Sequence, residues 1–243
     1  MNNKQSFAFG FLSGAAIPAV IIGLVAVIAI VATVYLYQTS RANTPGPVIS
    51  NANASANSNT KALKTAPPGA EPAWTKGAPN ATVTLEEFAD FECPSCGFFE
   101  PTMREIKTVY GDRVRVIFRQ YPLQMHQHAY DAARAAEAAG QQGKFWEMHD
   151  MLYDKQKSWS KEMPDARKEF ENYAKTLGLN VDKFNNDLTG DTANSRVSAD
   201  KKRGDFISIR ATPSIFLNGR LLTADEMQVT KMRELIENAL QGK

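Results

Sequence analysis

The strongest constraint on this chain is the spacing of its two cysteines, which are the only ones in 243 residues and stand in the tetrapeptide Cys93-Pro94-Ser95-Cys96. A disulfide between them would close a loop of about four residues, and so short a loop removes little entropy from the unfolded chain. The pair is therefore a poor structural cross-link. It is well suited to thiol–disulfide exchange, in which one thiolate attacks a disulfide and the second thiol resolves the mixed disulfide.

A zinc site is one alternative for a CxxC pair, and it would need two further ligands at suitable spacing. The chain has three histidines, His126, His128 and His149, and none belongs to a second CxxC or to an HxxxH pattern. The sequence therefore predicts a redox function rather than metal binding or inert thiols.

The sequence on either side places the cysteines between a strand and a helix. Residues 83–89, VTLEEFA, are rich in β-branched and apolar residues and predict a strand. After the cysteines, apolar residues recur at helical spacing as far as Gly111, where a helix would end. These residues are Phe99, Met103, Ile106 and Tyr110.

This junction predicts different properties for the two thiols. Cys93 would be the N-cap residue and Pro94 the first helical residue, where a missing N–H costs nothing. The free amides and the positive end of the helix dipole would favour the thiolate of Cys93 and lower its pKa. Cys93 is therefore the predicted nucleophile. Cys96, one turn into the helix and more buried, is the predicted resolving thiol.

A second motif lies far along the chain, in residues 211–222, ATPSIFLNGRLL. Asn218-Gly219 between two apolar runs predicts a β-hairpin with a type I′ turn. Pro213 cannot donate a hydrogen bond to a neighbouring strand, so we expect it at the start of the first strand of the hairpin.

A CxxC at a strand–helix turn, followed much later by Thr-Pro and a hairpin, resembles the thioredoxin superfamily, in which that proline is cis and lies against the CxxC. Three segments are similar to the DsbA-like thiol:disulfide oxidoreductases. They are residues 88–96 (FADFECPSC), 118–123 (FRQYPL) and 144–149 (KFWEMH). The resemblance covers residues about 74–243 and implies an α/β, thioredoxin-like fold with a helical block inserted at about residues 129–204.

The resemblance also implies roles for residues around the cysteines. The family uses the position before the proline, Thr212 here, to tune the reduction potential and the release of partners. The strongest oxidants of the family carry a histidine between the cysteines, whereas Pro94-Ser95 supplies a hydroxyl and no charge. We therefore expect weaker stabilisation of the thiolate and a less extreme reduction potential.

Glu87 lies six residues before Cys93. Strand alternation places it on the apolar face with Leu85 and Ala89, where burial would raise its pKa and let it shuttle the proton of the resolving cysteine. In DsbA-like proteins an acid at this offset has been assigned that kind of role. A glutamate at the strand edge that reaches solvent is the alternative.

Hydrophobic spacing predicts the remaining elements. Residues 114–118 alternate as a second strand, parallel to the first if the helix between them is a right-handed crossover. The predicted helical segments are residues 129–154, 165–177, 181–188, 191–203 and 229–240.

Two groups of aromatic and histidine residues in this part of the chain have competing interpretations. We expect Trp146 and His149 to pack in the core through one face of an amphipathic helix. The segment from Met125 to His128 could bind a soft metal such as copper. We expect instead that its histidines lie on the surface.

The N-terminal part of the chain predicts a membrane anchor. An apolar stretch of roughly 23 residues, from 15 to 37, is long enough to span a bilayer. A cleaved signal peptide has a shorter apolar region and a small-residue cleavage site, so we expect an uncleaved helix. Residues 1–14 would then be a short cytoplasmic N-terminus. Residues 38–72, poor in large apolar residues, predict a flexible linker to one domain at residues 73–243.

Charged residues around the apolar stretch indicate its orientation only weakly. Disulfide chemistry belongs in an oxidising compartment, so we expect the domain on the periplasmic or extracytoplasmic side of a bacterial inner membrane. A net charge of +2 without a basic stripe argues against nucleic-acid binding.

The sequence thus predicts a membrane-anchored protein disulfide oxidoreductase that donates disulfide bonds to exported proteins and is reset by a membrane redox partner. Its redox-active group would be the disulfide between Cys93 and Cys96, with no other cofactor and no metal. A disulfide reductase or isomerase is the alternative within the class. A copper-binding or copper-delivery module that uses Cys93, Cys96 and the histidines is the alternative outside it.

Overall fold

The computed structural model describes residues 63–160 and 164–243. The predicted cytoplasmic N-terminus at 1–14, the predicted transmembrane helix at 15–37 and the part of the predicted linker at 38–62 lie outside the described residues. Within the described ranges, no helix is both long enough and apolar enough to cross a bilayer.

A mixed sheet of five strands organises the described domain, in the order β1-β3-β2-β4-β5. The strands are β1 Trp74–Lys76, β2 Val83–Ala89, β3 Val114–Gln120, β4 Ser214–Leu217 and β5 Arg220–Leu221. The central strands β2 and β3 are parallel and are joined by helix α1, Pro94–Tyr110, which confirms the predicted crossover. The other pairs are antiparallel.

The hairpin between β4 and β5 has the predicted turn. Leu217 pairs with Arg220, so only Asn218 and Gly219 lie between the strands. Both adopt positive φ angles, 47° and 84°, as a type I′ turn requires. The Asn218 side chain also accepts a hydrogen bond from the backbone N–H of Thr84, at 2.8 Å, which ties the turn to the start of β2.

A block of helices lies between β3 and β4, as predicted, and a last helix, α8 Val229–Leu240, follows the hairpin. The block contains α2 Ala129–Gly140, α3 Phe145–Asp154, α4 Gln156–Trp159, α5 Arg167–Thr176, α6 Val181–Thr189 and α7 Asp191–Phe206. The segment predicted at 129–154 is two helices, because the chain turns at Gly143, where φ is +77°. Strand β1 and the short helix α4 were not predicted.

The helices bury two large apolar clusters against the sheet. One joins β2, β3 and β4 to α1 and α8, and includes Leu85, Val116, Met103 and Ile236. The other fills the helical block, where α2 contributes a row of buried alanines. Since alanine adds little bulk, neighbouring helices can approach α2 closely. The cysteines belong to this second cluster.

Residues 63–72 pack against the domain, which corrects the linker predicted at 38–72. Leu63 and Ala66 contact a small apolar cluster that contains Phe88. The backbone N–H of Ala70 donates to Asp200 Oδ1 at 2.8 Å. Three arginines donate to backbone carbonyls between residues 67 and 72. Apart from the contacts of Leu63 and Ala66, hydrogen bonds to the backbone hold this segment, so its composition did not predict that it would be ordered.

A buried charge network fixes the same region to the sheet. Glu86 Oε1 accepts hydrogen bonds from Arg119 Nε and Arg203 Nε, each at 2.8 Å. Arg119 Nη1 also donates to Asp200 Oδ1 at 3.1 Å. Burial raises the pKa of Glu86, but the two arginines outweigh it and the pKa is lowered. The network therefore holds a carboxylate in its charged form inside the protein.

Replacing Arg119 should be costly. We expect Arg119→Ala to lower the free energy of unfolding by about 3 kcal/mol, because it removes a partner from two buried carboxylates, Glu86 and Asp200. Lys175→Ala is a suitable control, since it breaks only an exposed pair with Glu171 and should cost less than about 1 kcal/mol. Denaturant unfolding at neutral pH measures both. Equal small losses in the two variants would contradict this account of the network.

Candidate active site

The two cysteines lie where β2 leads into α1. Cys93 is the N-cap residue of α1 and Pro94 is the first helical residue, as the sequence predicted. The backbone N–H of Cys93 donates to the carbonyl of Asp90 at 3.1 Å, and its own carbonyl accepts from the N–H of Gly97 at 3.1 Å. The turn therefore presents the Cys93 sulfur at the open end of the helix.

A buried side chain from the helical block braces this turn. Gln156 Nε2 donates to the backbone carbonyls of Phe91, at 2.7 Å, and of Cys93, at 2.9 Å. Sequence reasoning missed Gln156, because a polar residue in a short helix carries no signal of its distant partner. Its position explains how the inserted helices contribute to the geometry of the cysteines.

Both cysteines are free thiols, and both are buried: Cys93 is 7% exposed and Cys96 is 2% exposed. In its protonated form, Cys93 Sγ donates to the backbone carbonyl of Thr212, at 3.5 Å. Pro94 and Ser95 are exposed between the two cysteines. Access from outside is therefore at the N-terminus of the helix, on the Cys93 side.

The surroundings shift the pKa values of the two thiols in opposite directions. A hydrogen bond from the Cys96 thiol is the largest cause that lowers the pKa of Cys93, and the Thr212 side chain and the backbone amides of Cys96 and Ser95 add to it. Although burial acts against them, the pKa of Cys93 falls from 9.0 to about 5. Burial, followed by the hydrogen bond and charge of Cys93, raises the pKa of Cys96 well above its ordinary value.

The loop before β4 lies against the cysteines. Because β4 pairs antiparallel with β2, its first residues stand at the edge of the sheet where β2 ends. The Thr212–Pro213 peptide bond is cis. Thr212 Oγ1 is buried and forms no regular hydrogen bond within the described residues, yet it lies close enough to both sulfurs to lower the pKa of each. The structure thus brings Thr212 and Pro213 to the CxxC.

Glu87 is buried, with 3% of its surface exposed, so the alternative of a glutamate reaching solvent is wrong. Burial, together with the charge of Glu100, raises the pKa of Glu87 to about 8, and Lys107 partly offsets this. Sequence reasoning missed Glu100. Its position four residues after Cys96 and three before Met103 could have placed it on the buried face of α1.

The helical block supplies an aromatic wall behind the cysteines. His149 is fully buried and packs edge-on against the ring of Phe118, with the ring centroids 4.9 Å apart. Trp146 is half-buried, and Lys76 and Lys107 lie over its ring at 5.5 and 5.2 Å. The prediction of core packing is confirmed for His149, whereas Trp146 also forms part of the surface.

The two histidines of the loop after β3 do not form a free surface group. His128 is buried, and its backbone N–H donates to Glu92 Oε2 at 2.6 Å. His126 Nδ1 and Asp90 Oδ2 form a hydrogen bond of 2.7 Å. The prediction of surface histidines is therefore wrong for His128, because two buried acids next to the CxxC bind this loop.

The histidines of this loop do not converge with the cysteines. Within residues 63–160 and 164–243, the side chains spaced to hold a metal ion are those of Glu100, His149 and Asp150. This group contains neither cysteine. The geometry gives no support to the copper alternative raised by the sequence.

A protein-family model described as thioredoxin matches residues 70–238. The chain belongs to the thioredoxin family. Its fold is a thioredoxin-like α/β fold with a mixed sheet.

Solved structures of DsbA-like proteins share this thioredoxin-like fold. Oxidised BdbD of Bacillus subtilis is 26% identical, with a TM-score of 0.62, and the match covers 73% of this chain and 99% of BdbD. The thiol-disulfide exchange protein alpha-DsbA2 of Wolbachia pipientis is 18% identical, with a TM-score of 0.62 and coverage of 78% and 99%. The catalytic domain of Proteus mirabilis ScsC is 21% identical, with a TM-score of 0.58 and coverage of 76% and 96%.

Curated relatives of this thioredoxin-family chain carry a different name. The Na(+)/H(+) antiporter NhaA 3 of Salinispora tropica is 42% identical over 146 residues, which are 60% of this chain and 21% of that protein. NhaA 1 of Mycolicibacterium gilvum is 36% identical over 150 residues, with coverage of 60% and 23%. The chain thus spans about a fifth of the length of these relatives. Because the match covers so small a part of these proteins, their antiporter activity is not assigned to this chain.

Cys93 should react with alkylating agents far below the pH at which ordinary thiols react. We expect its alkylation rate in the reduced full-length protein to follow an apparent pKa of about 5, since only the thiolate is nucleophilic. Cys96 should stay unmodified under limiting reagent. A pH series of alkylation rates, with the modified cysteine assigned by mass spectrometry, measures both. Faster reaction of Cys96 would show that the assignment of the nucleophile is wrong.

A pair of variants separates the causes of this shift. Cys96→Ala removes the donor that lowers the pKa of Cys93 most, so the apparent pKa should rise. Cys96→Ser keeps a hydroxyl donor and should stay closer to the wild-type value. If both variants titrate like the wild type, the helix amides alone account for the shift.

Proposed function

We propose that this protein is a thiol:disulfide oxidoreductase that uses Cys93 and Cys96 to donate disulfide bonds to exported proteins. The observation that supports it best is the pair of opposite pKa shifts in two adjacent thiols at the start of α1. A stable thiolate beside a thiol that stays protonated is the arrangement that exchange needs, because one sulfur attacks or leaves and the other resolves.

The proposed reaction proceeds in two exchanges. A substrate thiolate attacks Cys93 Sγ of the oxidised protein, the bond between Cys93 and Cys96 breaks, and Cys96 leaves with the electron pair and takes up a proton. A second substrate thiolate then attacks the substrate sulfur of the mixed disulfide, and Cys93 leaves as a thiolate. The substrate loses two electrons and gains a disulfide, and the protein is left with two reduced cysteines.

The direction of transfer follows from the stability of the Cys93 thiolate. A low pKa makes Cys93 a good leaving group in the second exchange, and whatever stabilises the reduced protein makes its disulfide more oxidising. Thr212 and Pro213, which lie against the cysteines, would contact the incoming peptide. A reductase or isomerase could use the same residues, but it would gain less from a thiolate that is so stable.

The location and partners of the protein extend this proposal. The apolar stretch at 15–37 would anchor the chain in a bacterial inner membrane, with the domain on the oxidising, periplasmic or extracytoplasmic side. Each turnover leaves the cysteines reduced, so a membrane redox partner would be needed to restore the disulfide. Exported proteins with free thiols would be the substrates.

The two single cysteine variants test the proposed activity in the full-length protein. Mixing the oxidised wild type with a reduced dithiol peptide should produce oxidised peptide. Cys93→Ser should abolish this, whereas Cys96→Ser, when given substrate disulfides, should accumulate a mixed disulfide at Cys93. Non-reducing gels and mass spectrometry detect both results. A Cys93→Ser variant that still oxidises the peptide would refute the proposal.

The reduced form should be the more stable redox form near neutral pH. The pKa of Cys93 is lower in the folded protein than in the unfolded chain, so the Cys93 thiolate stabilises the folded reduced form. This contribution to the free energy of unfolding is complete above pH about 9 and is lost as the pH falls through about 5. At pH 7 this corresponds to about 2–3 kcal/mol. Denaturant unfolding of both forms over this pH range should show a gap that closes towards pH 5. A more stable oxidised form, or a gap independent of pH, would contradict the proposed direction.

A further inference from the structure

Buried polar atoms beneath the cysteines lack hydrogen-bond partners. Within the described residues, Glu100 Oε2, His149 Nε2 and the Tyr153 hydroxyl are all buried and unpaired. Glu100 Oε2 and His149 Nε2 face each other at 3.9 Å. A small rotation of either side chain would bring these two atoms within hydrogen-bond distance. Unpaired polar atoms are costly to bury, so a group of them requires an explanation.

The inner end of this group reaches the resolving thiol. Glu100 follows Cys96 by one turn of α1 and both residues are buried, so helical spacing places their side chains next to each other. Burial and the charges of Cys96, Glu87 and Glu100 raise the pKa of Tyr153. Glu87 and Glu100 are also close enough that the charge of Glu100 raises the pKa of Glu87. Glu87 pairs with Phe118 in the sheet, and the Phe118 ring packs against His149, so Glu87 belongs to the same buried group.

The outer end reaches the surface. His149 Nδ1 forms a hydrogen bond of 2.8 Å with Asp150 Oδ1, and the Asp150 side chain is 48% exposed. Glu100 Oε1 accepts from Lys107 Nζ at 3.1 Å. Asp150 and Lys107 both line a surface cavity of about 250 Å³, beside Trp146. His149 therefore contacts Asp150, and Glu100 contacts Lys107, and both of these partners line a cavity that water can reach.

Other charged groups do not block this path. The charged side chains near His149 are Glu100 and Lys107 from α1 and Asp150 from its own helix. The rings of Phe91, Phe118, Phe145, Trp146 and Tyr153 also pack against His149. Burial lowers the pKa of His149 and keeps the ring neutral near pH 7, with one nitrogen able to donate a proton and the other able to accept one.

We propose that Glu100 and His149 form a proton path between this cavity and Cys96, by way of Glu87. The inference rests on the proposed function, in which the first exchange expels Cys96 as a thiolate that must take up a proton. At that moment the substrate is bonded to Cys93 and Cys96 is only 2% exposed. The path supplies the proton without using the opening through which the substrate enters.

The proton balance is simple. In the oxidising direction, one proton enters from the cavity for each disulfide opened, passes from Asp150 and His149 to Glu100 and Glu87, and ends on Cys96 Sγ. When the cysteines are reoxidised, one proton leaves along the same groups. Glu100 and His149 do not contact the substrate, so they are positioning residues that act through Glu87.

The test compares two interior variants with a matched control in the full-length protein. Glu100→Gln keeps the side-chain volume and His149→Phe keeps a planar ring, but neither new side chain can carry the proton. Glu105→Gln makes the same change on the same helix, in an exposed side chain paired with Arg233. The oxidised proteins are mixed with reduced glutathione and quenched in acid, which gives the rate at which the disulfide opens.

We expect both interior variants to open about 10-fold to 100-fold more slowly near pH 7, with normal alkylation of Cys93 in the reduced form. Raising the concentration of a small buffer should partly restore their rates, since the buffer replaces the lost proton donor. Glu105→Gln should behave as the wild type does. A merely structural role would slow alkylation as well and would show no dependence on buffer, and that result would overturn the proposal.

The other outcomes are equally decisive. Wild-type opening rates in both interior variants would overturn the path and leave the proposed function intact. If the wild type itself does not react with glutathione, the proposed function fails and the path fails with it. If neither interior variant folds, Asp150→Asn at the exposed end replaces them: slower, buffer-dependent opening supports the path and an unchanged rate overturns it.

Discussion

The hydrogen bond from the Cys96 thiol to the Cys93 thiolate is the interaction on which the chemistry of this protein depends. The fall in the pKa of Cys93 from 9.0 to about 5 corresponds to about 5 kcal/mol of preference for the thiolate over the thiol. A helix dipole contributes about 0.3–1 kcal/mol in exposed settings and about 2 kcal/mol when partly buried. The start of α1 alone is therefore too weak. The Cys96 thiol, the Thr212 side chain and two backbone amides must act together.

Burial determines which groups of the same site stay protonated. It keeps Cys96 and Glu87 protonated, because an ion in a dry interior loses its hydration, while specific donors overcome burial at Cys93 alone. The site therefore separates charge over a short distance, with an anion at the surface end and neutral acids behind it. The inserted helices maintain this separation, since Gln156 braces the turn and the ring of His149 packs against Phe91 of the same turn.

The sequence predicted those parts of the fold that local patterns encode. The strand before the cysteines, the helix after them, the Asn-Gly hairpin and most helices of the block follow from periodicity and turn chemistry, and the structure confirms them. Gln156 and the packed segment at 63–72 were missed, because each depends on a partner distant in the chain. The buried position of His128 was missed for the same reason, since Glu92 binds its backbone. Glu100 was missed although its spacing from Cys96 and Met103 places it on the buried face of α1.

The juxtaposition of Thr212 with Cys93, 119 positions apart, was implied only by resemblance. Its physical cause is the antiparallel pairing of β4 with β2, which brings the start of one strand to the end of the other. The two strands are far apart in the sequence, so the residues of β4 alone did not predict that β2 would be its neighbour.

The equilibrium reduction potential of the full-length protein against glutathione tests the central claim most directly. If the Cys93 thiolate is stabilised as described, the reduced form is favoured and the potential should lie closer to about −120 mV than to about −270 mV. A potential near about −270 mV would mean that the disulfide is the preferred form. That result would contradict the assignment of the protein as a donor of disulfide bonds.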